Sequence, residues 1–482
     1  MKKTFLSNLV LIIFLNIIVK PFYILGIDAE VINRVGEVEY GIYFSLINLT
    51  FIFNIFLDMG LNNFNVKNIS QHSFLLKKYF SKIIPLKILL GIIYFLIVSA
   101  AAYFLEYNNN LLFFLLLNQF LAVFLLYLRS NLAGLHLFFK DSIVSVLDRF
   151  LLIVFCSVLL WGNVIPGTFK ISWFIYAQTV SYLLAVIICL FFLISSIGRF
   201  KLNLDLHFSY LILKKSFPYA LLILLMTIYY RVDVIMLEII MGPSEAGIYA
   251  GSFRFFEASN MISYLFAVLL LPIFSRLLKN KKSVSDIVYV AFKIILTFSI
   301  ILCVVSIFYN EELIKLRYGN GQFDNIDNYM EKSFYIFPIL MLCFLFISCT
   351  YIFGTLLTAN GNLFSLNLIA FFGMLLNIFL NYFLITKNGA VGASIASFCT
   401  QFLTALAQIL LCVKIFELRN FKYLIEPVLV FVAGIILIGF LTVSYSQLWY
   451  INICIFGFLS IIWSFVSGMV KFRYINYIFN ND

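Results

Sequence analysis

Long apolar segments recur along the whole chain, and they constrain the fold more than any other feature of the sequence. A helix needs about 20 mostly apolar residues to cross a bilayer, and about fourteen such segments follow one another in this chain. Only 11% of the 482 residues are charged, whereas a soluble domain carries roughly 25% charged residues. The sequence therefore predicts an all-α polytopic membrane protein.

The predicted spans, numbered 1 to 14 in chain order, cover residues 5–27, 40–61, 83–105, 110–134, 143–162, 171–198, 210–241, 246–274, 287–309, 333–358, 362–386, 389–413, 424–445 and 448–470. Span 1 lacks a small-residue cleavage site, so we expect a retained helix rather than a removed leader. Span 7 is long for a single crossing, and we expect its first residues to lie at the membrane surface.

The order of the spans predicts that the chain is divided into two helical bundles and a C-terminal segment. Residues 1–209 form an N-terminal bundle with spans 1–6, and residues 210–423 form a C-terminal bundle with spans 7–12. Residues 424–482 add spans 13 and 14 and a tail. An even number of spans places both termini on the same side of the membrane.

The distribution of basic residues predicts which side that is. Only six of the 33 Lys and Arg residues lie in loops on the side opposite the termini: Arg34, Lys170, Lys315, Arg317, Lys332 and Lys387. Cytoplasmic loops carry an excess of Lys and Arg, so both termini are expected in the cytoplasm. The net charge of +11 reflects this asymmetry and favours anionic lipid headgroups over nucleic acid as its partner.

A short motif occurs twice at equivalent places. Residues 36–43 and 242–249 both fit the pattern G-x-x-E-x-G-I-Y, 206 residues apart, and each begins the second helix of a seven-span half. Two such halves form parallel repeats, which are related by an axis along the membrane normal and bind the transported ligand between them. The motif also suits a tight helix–helix turn, and both interpretations hold together.

Charged side chains inside a membrane are costly, so they line a cavity or pair with one another. The candidates within the spans are ten residues: Lys20, Asp58, Asp148, Arg149, Arg231, Asp233, Glu238, Arg254, Glu257 and Lys293. From their distance along the helices, Lys20 and Arg254 each lie roughly 10 Å below the outer surface, and Arg231 lies about 16 Å below it. Spans 1, 7 and 8 therefore contribute three cations to the outer half of the bilayer.

Two interpretations of these charges remain open. Arg254 and Glu257 are three residues apart and can pair on one helix face. Asp233 points away from Arg231 and needs another partner, for which Lys20 and Arg254 are candidates. In one interpretation, such pairs only hold helices together. In the other, the cations line a cavity for an anionic head group.

Other chemistry finds little support in the sequence. The eight cysteines lie within apolar runs without CxxC spacing, so neither a metal nor a redox site is expected. No Walker motif is present, and we expect no cofactor and no catalytic residues. A membrane polysaccharide polymerase or glycosyltransferase would need a sizeable outer loop, and the largest one, residues 310–332, is short. We expect that loop to be solvated, although it could cap a cavity.

Several motifs resemble the polysaccharide-transporter branch of the multidrug/oligosaccharidyl-lipid/polysaccharide exporter superfamily, and Wzx-type O-antigen flippases in particular. They are Phe217–Leu237 with Gly242–Tyr249 and Leu271-Pro272, Glu39–Tyr43 with Asp58–Leu61, and Asn377 and Asn381 with Asn388–Ala396. The resemblance covers essentially the whole chain. It implies two helical bundles in a V shape that move by alternating access.

The resemblance also implies a substrate and a location. The substrate would be an undecaprenyl-pyrophosphate-linked oligosaccharide, a repeat unit of O-antigen (lipopolysaccharide) or capsule, flipped from the cytoplasmic to the periplasmic leaflet of a bacterial inner membrane. A polysaccharide polymerase and a chain-length regulator would be partners. Related lipid II flippases place cavity cations on helices 1, 2 and 8. Lys20 and Arg254 match helices 1 and 8, but span 2 has no basic residue.

The site hypothesis assigns three roles. The pyrophosphate-binding residues are Lys20, Arg231 and Arg254. The residues that pair with these cations or couple them to an ion gradient are Asp233, Glu257, Asp148 and Arg149. The residues that allow close helix approach or bend a helix at a pivot are Gly41, Gly247, Gly251, Pro21 and Pro218. A lipid II flippase and a multidrug exporter of the same superfamily remain alternatives.

Overall fold

Helices form all the regular structure in the described part of the chain, which comprises residues 14–62, 76–107, 111–135, 137–162, 167–197, 202–418 and 425–470 of a computed structural model. The predicted all-α fold is confirmed. The start of predicted span 1, residues 5–13, and the tail after residue 470 lie outside the described residues, as does the side chain of Pro218.

We label the α-helices in chain order as α1 Ala29–Ile52, α2 Ile55–Asp58, α3 Leu76–Phe104, α4 Leu112–Gly134, α5 Phe138–Trp161, α6 Ile171–Ile197, α7 Leu206–Met241, α8 Pro243–Lys279, α9 Ser285–Phe308, α10 Asn310–Tyr318, α11 Ile326–Asn360, α12 Leu363–Ile415, α13 Ile425–Val443 and α14 Trp449–Val466. A π-helical turn, Tyr23–Asp28, precedes α1, and residues 14–22 before it are also helical.

Eleven helices among the described residues are long and apolar enough to cross a membrane. The longest of them, α12, has 53 residues and is interrupted at Gly389, where φ is 54° and ψ is −131°, so it contains predicted spans 11 and 12. Spans 1 and 2 lie in the remaining helical segments before residue 62. The helices therefore account for about fourteen spans. Apolar side chains such as Leu96 and Phe191 are exposed on their surfaces, as expected where lipid is the solvent.

The first span is longer than the sequence predicts. The prediction ends it at residue 27, whereas the chain stays helical through the π-helical turn and into α1 until Gly36. Pro21 lies two residues before that turn. A proline lacks the N–H that its helix position requires, and a π-helical turn is one way in which a helix absorbs such an interruption. Asp28 therefore lies inside a helix and not in a loop.

Packing divides the chain into two compact units, Met1–Gly247 and Ile248–Asp482. The core of the first unit joins α3 to α6 and includes Phe80, Tyr127 and Val144. In the second unit, α11 packs against α9 and α12, while α13 and α14 pack against α9. The bundle boundary that the sequence places between residues 209 and 210 stays a prediction.

Hydroxyl groups join three helices in the middle of the second unit. Ser348 Oγ of α11 lies 2.8 Å from Ser263 Oγ of α8 and accepts a 3.0 Å hydrogen bond from Ser299 Oγ of α9. All three side chains are fully buried. Hydrogen bonds between membrane helices contribute about 0.6 kcal/mol each on average, so this cluster fixes the helix register more than it adds stability.

Candidate substrate-binding site

The two copies of the repeated motif begin with the same backbone conformation. Gly36 has φ 79° and ψ 172°, and Gly242 has φ 94° and ψ 172°. Only glycine adopts this region readily, so each copy ends one span and starts the next with the same turn. The conformational match supports the interpretation of these segments as equivalent parts of two repeats.

The two copies also pack directly against each other within the first unit. A Cβ atom on Gly41 would lie 1.9 Å from the Pro243 carbonyl oxygen, and one on Gly247 would lie 1.9 Å from the Glu37 carbonyl oxygen. Glu37 and Pro243 occupy equivalent positions of the motif, so the contact is reciprocal. Two helix backbones thus approach more closely than any residue other than glycine permits.

The third predicted packing glycine, Gly251, contacts tyrosines of α10 and α11. A Cβ atom there would lie 2.0 Å from Tyr329 Oη, and Tyr318 Oη donates a 2.9 Å hydrogen bond to the Gly251 carbonyl. Tyr318 ends α10, where it and Ile314 are fully buried. The loop at 310–332 is largely exposed, as expected, but α10 also packs against α9 and α11, where Ile314 and Tyr318 are buried.

Lys20, the first predicted phosphate-binding cation, lies among charges of both signs. Asp148 is its electrostatic counterion, and Arg129 and Arg149 are cationic neighbours that oppose its charge. Arg149 Nε lies 3.5 Å from Asp148 Oδ2. Close to this group, Asn16 Nδ2 donates a 3.1 Å hydrogen bond to Ser145 Oγ, which fixes the first span against α5.

Aromatic rings and one further acid complete this neighbourhood. The Arg149 guanidinium lies over the Tyr23 ring at 4.7 Å and over the Tyr182 ring at 5.6 Å. Tyr40 Oη donates a 2.7 Å hydrogen bond to Asp28 Oδ1, and Asp28 is only 2% exposed. The first unit therefore holds a largely half-buried group of charges in which cations and carboxylates occur in similar numbers.

Arg231, the second predicted cation, lies on α7 against α1. Its Nη1 donates a 3.1 Å hydrogen bond to Asn48 Oδ1, and Asn48 Nδ2 in turn donates to the Phe44 carbonyl. The guanidinium carbon lies 4.7 Å from the Phe51 ring centre and 4.9 Å from the Tyr230 ring centre. These contacts hold the guanidinium plane in a fixed orientation.

Arg254, the third predicted cation, is 6% exposed and belongs to the second unit. It forms an ion pair with Glu257, three residues further along α8, as their spacing indicates. Asp233 on α7 is 1% exposed and has interaction partners of its own. Each of the three cations thus has at least one polar neighbour, namely Asp148 for Lys20, Asn48 for Arg231 and Glu257 for Arg254.

The remaining predicted intramembrane charges all have partners. Asp58 Oδ1 lies 2.7 Å from Lys87 Nζ. Tyr107 Oη donates a hydrogen bond to Glu238. Lys293 Nζ donates a 3.3 Å hydrogen bond to the Gly468 carbonyl.

The sequence interpretation missed two ion-paired cations inside the fold, the buried Lys87 and the partly buried Arg129. Lys87 is 2% exposed and also donates a 2.9 Å hydrogen bond to the Leu57 carbonyl. Arg129 Nε lies 2.8 Å from Asp141 Oδ1. Both cations lie within five residues of the cytoplasmic end of a predicted span, where a long side chain ordinarily reaches the headgroups. Their carboxylate partners lie on other helices, so no local spacing in the sequence indicates that these cations form ion pairs.

Comparison with solved structures places this fold among transporters. A structure of the lipid II flippase MurJ in an inward closed conformation aligns with a TM-score of 0.71 at 19% identity, over 95% of this chain and 98% of that one. An inward-facing multidrug resistance MATE family transporter aligns with a TM-score of 0.64 at 12% identity, over 83% and 96%. A mutant form of the MATE transporter VcmN from Vibrio cholerae gives 0.57 at 12%, over 84% and 97%.

The helices and the comparison thus define the fold of a multi-pass helical membrane protein. The family profile described as polysaccharide biosynthesis protein matches residues 6–278, and the MatE profile matches residues 218–383. The chain belongs to the polysaccharide biosynthesis protein family, in the polysaccharide flippase branch of the multidrug/oligosaccharidyl-lipid/polysaccharide exporter superfamily. No curated protein matched the chain.

Proposed function

We propose that the protein flips an undecaprenyl-pyrophosphate-linked oligosaccharide, a repeat unit of O-antigen or capsule, from the cytoplasmic to the periplasmic leaflet by alternating access. The observation that carries this proposal is the match of the polysaccharide biosynthesis profile to residues 6–278. The matched region contains all three candidate phosphate-binding cations.

The chemical problem is the head group. A pyrophosphate loses its hydrating water if it enters hydrocarbon, and transferring such charges costs many kcal/mol unless other polar groups replace the water. Cations inside the protein supply that replacement, while the polyprenyl tail stays in the lipid. The site needs neither covalent chemistry nor a cofactor for this task.

Each cation has a distinct part in this proposal. Arg231, held between two rings, presents the planar donor fork that suits phosphate oxygens. Arg254 exchanges Glu257 for the pyrophosphate, so that one negative partner replaces another. Lys20 acts as a compact point charge beside Asp148.

Movement and energy coupling follow from the surrounding residues. Asp233, Glu257 and Asp148 neutralise the cations when substrate is absent, and Arg149 competes with Lys20 for Asp148. An ion gradient that protonates or displaces these carboxylates drives the exchange. The contact of Gly41 and Gly247 serves as the pivot between bundles 1–209 and 210–423. Gly251, Pro21 and Pro218 shape the helices that move about it.

The proposed setting is a bacterial inner membrane, with both termini in the cytoplasm. There, a polysaccharide polymerase and a chain-length regulator on the periplasmic side consume the flipped units. Anionic lipids meet the basic cytoplasmic loops.

The test replaces Lys20, Arg231 and Arg254 singly by Ala in a strain that depends on this chain for surface polysaccharide. Loss of a charge-assisted contact of about 1.5–3 kcal/mol lowers the transport rate roughly ten- to a hundredfold. The matched control is Lys315→Ala, since Lys315 lies in α10 with a 57% exposed side chain. Normal polysaccharide from all three variants, at normal protein levels, would overturn the site.

A double variant separates substrate binding from structural pairing. If Arg254 serves only to neutralise Glu257, then Arg254→Ala/Glu257→Ala restores the polysaccharide that Arg254→Ala loses. If Arg254 binds pyrophosphate, the double variant stays inactive while its membrane level returns to normal.

A lipid II flippase is the second candidate, because the MurJ structure aligns over 95% of this chain. Complementation distinguishes the two: growth of a strain depleted of its lipid II flippase supports the second candidate, whereas restored surface polysaccharide in a strain lacking its polysaccharide flippase supports the first. A multidrug exporter would instead raise drug resistance, and a membrane polymerase or glycosyltransferase would lengthen glycans in a cell-free assay.

A further inference from the structure

A half-open cavity of about 160 Å³ lies between α1, α4 and α6 in the first unit. Its wall is mostly aliphatic, with Leu46, Leu115 and Ile175 among the contributors, and Glu39 and Tyr43 are its polar lining residues. The buried Tyr43 is held in place because its Oη accepts a 2.9 Å hydrogen bond from Gln178 Nε2.

The cavity occupies one leaflet of the membrane. Glu39 lies near the start of the second span, and Leu46 is seven residues further along α1, or roughly 10 Å deeper. Ile171 and Ile175 likewise belong to the first turns of α6. This end of the unit faces the outer leaflet if the termini are cytoplasmic, as proposed above.

One lining residue, Glu39, and one residue adjacent in sequence to the lining, Lys170, carry opposite charges. Glu39 Oε1 accepts a 3.0 Å hydrogen bond from the backbone N–H of Ile171, the first residue of α6. Lys170 precedes Ile171 and is exposed. Within the part of the chain that the structure describes, the Glu39 carboxylate makes no further hydrogen bond or ion pair, and the Lys170 ammonium makes none.

We propose that this cavity binds a zwitterionic phospholipid with a primary ammonium group, of the phosphatidylethanolamine class, from the outer leaflet. The ammonium donates hydrogen bonds to Glu39, Lys170 attracts the phosphate, and part of one acyl chain fills the aliphatic cavity. An ammonium group has three N–H donors for a carboxylate. A choline headgroup has none, and a glycerol headgroup has no positive charge.

The cavity is large enough for part of one acyl chain but not for a whole lipid molecule. Its volume is similar to the roughly 150 Å³ of an apolar protein cavity that accepts benzene, so the remaining methylenes lie along the outer surfaces of the helices. Glu39 lies two residues before Gly41, so the bound lipid contacts the helix that forms the close repeat contact. Lipid composition would thereby influence that contact.

The test measures which lipids the protein retains. The full chain is reconstituted into nanodiscs with equal amounts of dioleoyl phosphatidylethanolamine, phosphatidylcholine and phosphatidylglycerol, released into a mild detergent, and analysed by native mass spectrometry. We expect one phosphatidylethanolamine to be retained roughly three- to tenfold more often than either other lipid, as suits a single interfacial charge contact.

Two variants test the two halves of the binding site. Glu39→Gln keeps an acceptor for the Ile171 N–H but removes the charge, so the preference for phosphatidylethanolamine should disappear. Leu111→Trp fills the cavity from its half-buried edge, so retention of every lipid should fall. The controls are Glu331→Gln, an exposed carboxylate, and Phe113→Trp, where the side chain is 58% exposed.

Equal retention of the three lipids by the unchanged protein would overturn the proposal. Preference for phosphatidylglycerol would do so as well, and so would a Glu39→Gln variant that keeps the preference for phosphatidylethanolamine. Retention does not depend on flipping, so failure here leaves the proposed transport function intact.

Discussion

Single residues show where the sequence predicts buried charge and where it does not. The pair Arg254 and Glu257 follows from helix spacing alone. Lys87 and Arg129 do not, because each lies near a predicted span end, where reaching the headgroups is the ordinary outcome. Their ion pairs depend on carboxylates that other segments place beside them, Asp58 at the end of α2 and Asp141 in α5. Such tertiary contacts leave no local pattern.

The buried Lys87–Asp58 pair gives the first prediction. Asp58→Asn leaves an ammonium group that is 2% exposed without its counterion, which destabilises the fold by about 3–5 kcal/mol. Lys87→Met/Asp58→Asn should recover part of this loss, because no uncompensated charge remains. Unfolding in detergent, followed by intrinsic fluorescence, measures both variants.

The exposed pair Lys315–Glu311 supplies the control for this measurement. Its two side chains are 57% and 56% exposed, so Lys315→Met should change stability by less than about 1 kcal/mol. An Asp58→Asn variant as stable as Lys315→Met would show that the buried pair does not hold α2 in place.

At the scale of elements, the repeated motif predicts equivalent turns but not how they touch. The spacing of G-x-x-E-x-G identifies Gly41 and Gly247 as packing glycines. It does not show that each faces the carbonyl of the other copy, since that requires the two helices in space. The motif likewise does not indicate that Glu39 accepts a hydrogen bond from the backbone N–H of Ile171 at the start of α6. These two residues are 132 positions apart in the sequence.

Glycine substitutions test the repeat contact. In Gly41→Ala the added methyl group would lie 1.9 Å from the Pro243 carbonyl oxygen, so the helices must separate, and we expect a clear fall in melting temperature and in transport. In Gly457→Ala on α14, nothing lies within 4 Å of the added atom, and alanine has the higher helix propensity by about 1 kcal/mol. Similar melting temperatures for the two variants would contradict the close contact.

The start of α7 carries a pH-sensitive cap. Asp205 accepts a 2.6 Å hydrogen bond from Lys82 Nζ and a 3.0 Å hydrogen bond from the Phe208 N–H. These contacts, that with Lys82 first, lower the pKa of Asp205 below its ordinary value of 3.8. A carboxyl group with a lowered pKa in the folded state contributes stability that is complete above the ordinary pKa and is lost as pH falls through the lowered value.

The corresponding prediction compares Asp205→Asn with the unchanged protein. Asparagine caps a helix about as well as aspartate but cannot titrate, so the melting temperature of the variant should fall less between about pH 6 and pH 3. If the melting temperatures of the variant and of the unchanged protein fell equally over this pH range, the contact of Asp205 with Lys82 would not stabilise the fold.

For the whole molecule, the sequence predicts the number of spans because each crossing requires its own apolar segment. It predicts orientation through the placement of basic residues. It does not predict the two packing units, because the division at Gly247 lies inside what becomes one continuous helix, α8. The apolar pattern indicates a span that begins only at residue 246, whereas α8 begins at Pro243.

Cysteine labelling tests the orientation. In a background with Cys454→Ser, which removes the exposed cysteine among the described residues, Lys315→Cys should react with an impermeant maleimide in intact cells. Lys282→Cys should react only after the cytoplasmic face is opened. The reverse pattern would invert the proposed topology and move the lipid cavity to the cytoplasmic leaflet.

The most direct test of the account is transport in purified vesicles. The chain is reconstituted into liposomes that carry an undecaprenyl-pyrophosphate-linked oligosaccharide in the inner leaflet only, and its appearance outside is followed by cleavage with an external glycosidase. The account predicts cleavage that depends on the protein and falls roughly ten- to a hundredfold in Arg254→Ala. Cleavage no faster than in empty liposomes, under every imposed ion gradient, would contradict it.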